Sequence, residues 1–348
     1  MGSRRQTRDA IPKVAIFGCG RIGSALDEAG GTHVLTHAAA CSKTPGLELS
    51  ALCDPDPERL TQAGEARGID ALYTEPEALL AEHAIDIAVI ATPTELRTPL
   101  IKQALASGVR FFVLEKPLAK DMKEALSLAA LLRAHQARVV LNYLRRFSAG
   151  LISARECLRR GDFGLPQVAT LHYGKGLNNN GSHAIDLVRW WLGEPTKVKV
   201  LGRVADERRE DPTLHCVYEL ITHSGTPILV HLIGVDHRDV SIFELDLICS
   251  EGRVRVCERG ARVETSLIVE DPTFTGYSAL SEATHTPGGV EHALEGLWTH
   301  VQELIHDDQS ASRSSLADGL ATLSIVESSL EAWQRGGEAT IDTSELRS

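Results

Sequence analysis

No segment of this 348-residue chain reaches the run of about 18 uninterrupted apolar residues that a membrane helix needs. Basic charge is not in excess either. The 36 Lys and Arg face 47 Asp and Glu, a net charge of −11, so the chain lacks the electrostatic footprint of a nucleic-acid binder. No apolar segment of secretory type follows Arg4-Arg5. The seven cysteines are odd in number, widely spaced and without a C-x-x-C pair. That pattern reads as reduced thiols in a cytoplasmic protein rather than a disulfide framework. No Cys/His set has the close paired spacing of a zinc site, so no metal is expected. Internal repeats and low-complexity stretches are also missing.

What is present is ordinary for a globular protein: 43% hydrophobic and 24% charged residues. At about 150 residues per domain the length predicts two domains. Residues 1–11 read as a disordered tail. From 12 to 145, short apolar runs alternate with helical stretches. The runs are Lys13–Phe17, Leu47–Cys53, Ile85–Ala91, Arg110–Leu114 and Val139–Leu141. The helices are expected over Pro57–Arg67, Pro76–His83, Leu96–Ser107 and Met122–His135. Runs that are continuously Val/Ile/Leu-rich belong to strands covered on both faces, so a doubly wound parallel sheet is predicted.

Over 146–348 the rhythm changes. Helices are expected over Ala149–Arg160 and from Ser182 to Gly193. Longer alternating runs follow at Lys197–Val204, Leu214–Thr222, Ile228–Val235 and Val240–Cys249, several joined by short turns. This reads as an α+β domain with an open, mostly antiparallel sheet. Two helices, Gly289–His306 and Ser315–Arg335, close the chain.

The first strand runs into Gly18-Cys19-Gly20-Arg21-Ile22-Gly23, a G-x-G-x-x-G turn. Gly18 permits the tight turn, Gly20 lets a pyrophosphate approach the backbone, and Gly23 lets helix and strand pack closely. The N–H groups of the following helix, Arg21 and Ile22 among them, favour phosphate. Asp54 ends the second strand, 54 − 23 = 31 residues after Gly23, longer than the ~20 of the simplest unit. Its carboxylate would accept ribose hydroxyls and repel a 2′-phosphate, favouring NAD over NADP; the competing reading is a helix cap in Asp54–Pro57. Arg59 would soften that preference. The excess length sits in Gly30–Pro45, a loop or an extended helix. Thr92 and Pro93 close the third strand, where an open α/β sheet binds its ligand.

Lys116, in Glu115-Lys116-Pro117, ends the fourth strand. A positive group there can orient a substrate hydroxyl and stabilise an alkoxide as hydride leaves. Asn178-Asn179-Asn180-Gly181 makes a poor helix interior but a good loop and cap. His183 then falls in the first helical turn, where the helix terminus depresses its pKa and favours neutral imidazole. Asp186, on the same helix, would orient His183 or pair with Arg189. Trp190 and Trp191 read as packing residues.

The glycine turn, Ala91-Thr92-Pro93, Glu115-Lys116-Pro117 and the later His-containing helix resemble the glucose–fructose oxidoreductase/inositol dehydrogenase/rhizopine catabolism (Gfo/Idh/MocA) family across nearly the whole chain. The resemblance implies a Rossmann domain, with Glu115 and Lys116 at the cofactor, followed by a substrate domain whose sheet forms a homodimer or homotetramer. It implies an NAD-dependent oxidoreductase acting on a sugar or cyclitol, a small-molecule partner, with Lys116 and His183 as the acid/base pair. Position 179, often Asp in the family, is Asn here; an amide can hold a hydroxyl but cannot take its proton. Arg97 stands near a place where the family often has His, and would bind an anion as a fork. Tyr143, Arg145 and Arg146 lie in a segment that approaches substrate in the family; Arg145 or Arg146 would bind an anionic group or form an interdomain salt bridge, and Tyr143 would contact a hydroxyl. A retained-NAD lyase, epimerase or glycosidase would use the same residues, whereas sensors and repressors of this fold generally lose the lysine or the histidine.

Overall fold

The computed structural model describes residues 11–27, 34–205, 210–307 and 309–347. The tail expected over 1–11 therefore lies, apart from Ile11, outside the described residues. The chain divides into two compact units. One holds the residues up to Glu115 with Ser127–Asn142 and Leu297–Ser312; the other holds Lys116–Leu126, Tyr143–Gly296 and the segment from Arg313 onward. Among the described residues no helix is long and apolar enough to cross a membrane, and no group of three or more His, Cys, Asp or Glu side chains is placed to hold a metal ion.

The first unit is built from strands β1 (Lys13–Phe17), β2 (Glu48–Cys53), β3 (Leu72–Tyr73), β4 (Ile87–Ile90), β5 (Phe111–Leu114) and β6 (Arg138–Leu141), with helices α1 (His37–Lys43), α2 (Pro57–Arg67), α3 (Pro76–Glu82), α4 (Thr94–Ala106) and most of α5 (Met122–Ala134). The sheet is wholly parallel in the order β3-β2-β1-β4-β5-β6. Its central strands β4 and β5 are buried at every position. Strands covered on both faces are selected for apolar residues at every position, which is why they read as unbroken apolar runs. Local chemistry sets the helix ends. Asp56, rather than Asp54, caps α2 by accepting from the Glu58 and Arg59 N–H groups; Pro57 occupies the first turn and Gly68 closes the helix at φ 65°. The stretch before β2 contains α1, capped by Thr36, whose hydroxyl accepts from the Ala39 N–H at 3.2 Å.

The second unit contains α6 (Ala149–Arg160), β7 (Pro166–Tyr173), α7 (Ser182–Trp191), β8 (Gly193–Arg203), β9 (Leu214–Thr222), β10 (Pro227–Gly234), β11 (Phe243–Cys249), β12 (Gly252–Cys257), β13 (Arg262–Glu270), β14 (Ser278–Leu280), β15 (Thr284–Pro287), the first turn of α8 (Ala293–His306), α9 (Leu316–Arg335) and β16 (Glu338–Thr340). Its sheet runs β14-β13-β12-β11-β7-β10-β9-β8-β16, with β15 on β13. All pairs are antiparallel except β7 with β10. Burial alternates along β9 and β11, so one face is core. Helices α7 and α9 pack on that side against β8, and Trp190 and Trp191 join the core there. The other face carries Leu201, Ile221, Leu229 and Ile248, all exposed.

One local expectation is corrected. The triple-Asn stretch is not a loop ending in a cap. Residues Gly176–Gly181 form a π-type helical turn that continues into α7 through Gly181 at φ −59°, ψ −37°. The turn is held from a distance: the Asp211 carboxylate accepts from the Asn178 and Asn179 N–H groups at 2.7 and 3.1 Å. The Ser182 hydroxyl closes it by donating to the Asn178 carbonyl at 2.7 Å.

Candidate active site

In the first unit the glycine turn sits at the carboxyl end of β1, stitched to β2 by Gly18 N–H to Cys53 C=O at 2.8 Å. Each glycine has a measurable reason. At Gly18, φ is +96° and a Cβ would lie 2.8 Å from the Ala91 carbonyl. At Gly23 a Cβ would lie 1.9 Å from the Gly18 oxygen. At Gly20 it would meet nothing within 4 Å, so there the backbone is bare toward open space. The segment Arg21–Ala25 that follows is a single π-type turn instead of a regular helix. Beside it, the Thr92 Oγ1 and Ser24 Oγ atoms are buried without a hydrogen-bond partner among the described residues. A bare backbone flanked by unsatisfied hydroxyls fits a phosphate-bearing ligand such as a dinucleotide. Pro93 is exposed at the mouth of the same strand end.

Asp54 is 2% exposed. Its Oδ2 accepts from the Cys19 N–H at 2.7 Å, and its Oδ1 from the Asp56 N–H at 3.0 Å and from Arg59 at 2.9 Å. The carboxylate thus fixes the glycine turn to the end of β2, and Arg59, 44% exposed, lies over it. Glu115 turns inward. Its Oε1 meets His37 Nε2 at 3.0 Å and Asn142 Nδ2 at 2.6 Å. Burial would raise its pKa, but those bonds and the Arg97 charge outweigh it and hold the carboxyl below its usual range. The reading of Arg97 as an anion fork is corrected. It is 5% exposed and donates to the Thr92 carbonyl at 3.1 Å and the Glu115 carbonyl at 2.5 Å, tying together the ends of β4 and β5.

In the second unit Lys116, Asn179, His183 and Arg145 are all half-buried, and the charges of Lys116 and Arg145 act on His183. Lys116 Nζ donates to Asn179 Oδ1 at 3.0 Å and to the Asn179 carbonyl at 3.1 Å. His183 Nδ1 has no hydrogen-bond partner among the described residues. Its pKa lies well below 6.5, first through burial and then through the charges of Lys116 and Arg145. The direction matches the sequence reading, but the leading cause is desolvation; the helical turn Gly176–Gly181 precedes α7, so His183 does not stand at a free helix terminus. Tyr143 is 1% exposed, its hydroxyl hydrogen-bonded with Thr322. Its ring stands edge-on to His183, centroids 5.9 Å apart at 89°. The Tyr143 hydroxyl read as a substrate contact is thus bonded within the unit, and its ring packs against the imidazole.

Asp186 does not serve His183. Both its oxygens accept from Arg146, at 2.8 to 3.1 Å, and Arg146 also reaches Asp318 at 2.9 Å. Removing one member of such a buried pair costs about 3–5 kcal/mol. Arg145 is different. Its guanidinium carbon stands 3.3 Å from the Phe243 ring centroid, and its solvent-shielded Nε has no hydrogen-bond partner among the described residues. An unsatisfied buried N–H costs about 1–3 kcal/mol, and a cation–π contact returns about 0.5–2 kcal/mol, so stacking roughly offsets the vacancy without filling it. Burial pulls Arg145 down, to about 9, which leaves it cationic at neutral pH. Sequence reasoning missed Asp211, Phe243 and the His37–Glu115 pair, whose partners lie too far apart in the chain to leave a local signal.

Comparison with known proteins follows the same division. Residues 12–143 match the Gfo/Idh/MocA family, described as "Oxidoreductase family, NAD-binding Rossmann fold". Relatives align well beyond that segment. D-apiose dehydrogenase of Paraburkholderia graminis is 22% identical over 345 residues, 93% of this chain and 88% of that protein. Over residues 12–143 the chain is similar to this family. A second relative, scyllo-inositol 2-dehydrogenase (NAD(+)) of Bacillus subtilis, is 26% identical over 55% of this chain and 57% of its own length. In fold, an oxidoreductase from Agrobacterium radiobacter, solved in complex with NAD+, L-tartaric acid and magnesium, matches with a TM-score of 0.77 at 19% identity, over 95% of this chain and 98% of that one.

Proposed function

We propose that the protein is an NAD(H)-dependent oxidoreductase that interconverts a secondary alcohol and a ketone on a sugar, cyclitol or sugar derivative. One observation carries the reading: Lys116, held by Asn179, shares a half-buried cluster with an imidazole whose Nδ1 is unpartnered. The family and its apiose and inositol dehydrogenase relatives support the substrate class.

Bound NAD supplies the hydride acceptor for oxidation. The backbone at Gly18, Gly20, Arg21, Ile22 and Gly23 would hold its phosphates, with Thr92, Pro93 and the main chain around Glu115 lining the strand ends. Asp54 would face the adenosine ribose, and its carboxylate favours NAD over NADP. In the second unit, Lys116 donates to the carbinol oxygen, and Asn179 fixes that ammonium. His183, kept neutral by burial and the adjoining cations, takes the hydroxyl proton as the carbon–hydrogen bond breaks with its electron pair. Reduction runs the same transfers backward, the imidazolium giving its proton to the carbonyl oxygen. The exposed apolar residues of the open sheet face support a homodimer or homotetramer; a monomeric mass in sedimentation would contradict that part.

The test is a panel of sugars and cyclitols incubated with the purified protein and NAD. Accumulating NADH is the expected result. Turnover without net NADH would move the assignment to a retained-cofactor lyase or epimerase. NAD binding with no turnover anywhere in the panel would overturn the enzymatic reading.

A further inference from the structure

Among the arginines of the second unit that are shielded from solvent, Arg145 stands apart. Arg146 is paired with Asp186 and Asp318. Arg189 is bonded to Glu194 through Nε and Nη2, at 2.6 and 2.7 Å. Arg155 donates to the Trp190 carbonyl and to Glu156. Arg145 has no hydrogen-bond or ion-pair partner among the described residues, and only one of its faces is used, against Phe243. Stacking engages the π-face of a guanidinium and leaves its in-plane N–H fork free, the geometry that receives a carboxylate or phosphate through two parallel bonds.

The surrounding acids cannot supply that partner. Asp186 lies close enough to influence Arg145, but both its oxygens are occupied by Arg146. Asp211 is spent on the Asn178 and Asn179 N–H groups. Position 179 brings an amide to Lys116, so no carboxylate enters the cluster there. His183 stays neutral beside both cations. The cluster therefore presents positive charge to whatever enters it.

We infer that Arg145 receives an anionic group carried by the substrate, so that the preferred substrates are sugar acids or sugar phosphates rather than neutral sugars or cyclitols. This rests on the reading of Lys116 and His183 as the reacting pair and names the substrate class of that site. The alcohol to be oxidised would lie at Lys116 and His183, and the carboxylate or phosphate of the same molecule at Arg145.

The experiment compares hexonates, hexose 6-phosphates, the parent hexoses and myo-inositol on the NAD-loaded protein, by calorimetric binding and by NADH formation. At least one anionic ligand is expected to bind about 10-fold or more tightly than every neutral one. Arg145→Met should remove most of that preference, a loss of about 10- to 100-fold, and Arg145→Lys, which keeps the charge without the fork, should fall between. Thermal melting confirms that the variants fold. Whether hexonates or hexose phosphates bind distinguishes the two anions. Equal or tighter binding of neutral sugars overturns the inference, as does an anion preference that survives in Arg145→Met. If anions bind through Arg145 but nothing reduces NAD, the oxidoreductase reading fails and the anion site stands. If neutral sugars reduce NAD and anions do not bind, the reverse holds.

Discussion

Lys116 and Asn179 meet twice: the ammonium donates to the side-chain oxygen at 3.0 Å and to the main-chain oxygen of the same residue at 3.1 Å. Both acceptors are neutral, and the turn that presents them is clamped by Asp211. Asn179→Ala removes one acceptor and keeps the other. We expect kcat/KM to fall about 10-fold, the worth of one hydrogen bond to a charged group, with NAD affinity unchanged. A variant as slow as one lacking the lysine would show that the amide acts on substrate directly.

The two glycines that end the dinucleotide turn should behave oppositely. Gly23→Ala drives a methyl to 1.9 Å from the Gly18 oxygen, so the strand and the turn must separate; a loss of about 1–3 kcal/mol in denaturant unfolding is expected. Gly20→Ala meets open space and should leave stability within about 0.5 kcal/mol while weakening NAD binding, because the added methyl stands where the phosphates approach. Wild-type NAD affinity in Gly20→Ala would contradict the placement.

Because His183 is held well below 6.5 by burial and by the Lys116 and Arg145 charges, it remains a proton acceptor in mildly acidic solution. The pH profile of kcat/KM for oxidation should show no acidic limb at 6.5; the limb should appear below it and vanish in His183→Gln along with most activity. Stability carries the same sign. Below pH 6.5 the unfolded chain protonates this histidine and the folded chain does not, so wild-type stability declines as pH falls through that window, and the variant declines less. An activity limb centred at 6.5 would show an imidazole open to water.

The parts legible in sequence are those decided locally. The strands of the first sheet are apolar on both faces, so Ile87–Ile90 and Phe111–Leu114 stand out without knowledge of their neighbours. The helix α2 carries its own start and stop in Asp56, Pro57 and Gly68. The parts that were not legible depend on partners far along the chain. Nothing near Asn178–Gly181 announces a helical turn, because its cap is Asp211. Arg97 and Tyr143 carry groups suited to a ligand, and only tertiary burial shows that their donors are used internally. The strand Arg262–Glu270 has no clear signature in the sequence, because its second half is exposed and lacks a clear alternation.

Arg59 lies on Asp54 with a 2.9 Å contact at a position where a cation would meet a 2′-phosphate. Arg59→Ala should raise the ratio of NAD to NADP affinity about 3- to 10-fold, chiefly through weaker NADP binding, as expected for a half-exposed charge. A ratio that stays constant would assign Arg59 to holding Asp54 alone.

The most direct test of the account is Lys116→Met assayed for NADH formation beside a calorimetric NAD titration. The account predicts a fall of about 100- to 10,000-fold in kcat/KM with NAD affinity retained, since the glycine turn and Asp54 are untouched. Turnover at the wild-type rate, or loss of NAD binding of the same size as the loss of rate, would contradict the assignment of this ammonium to the reacting oxygen.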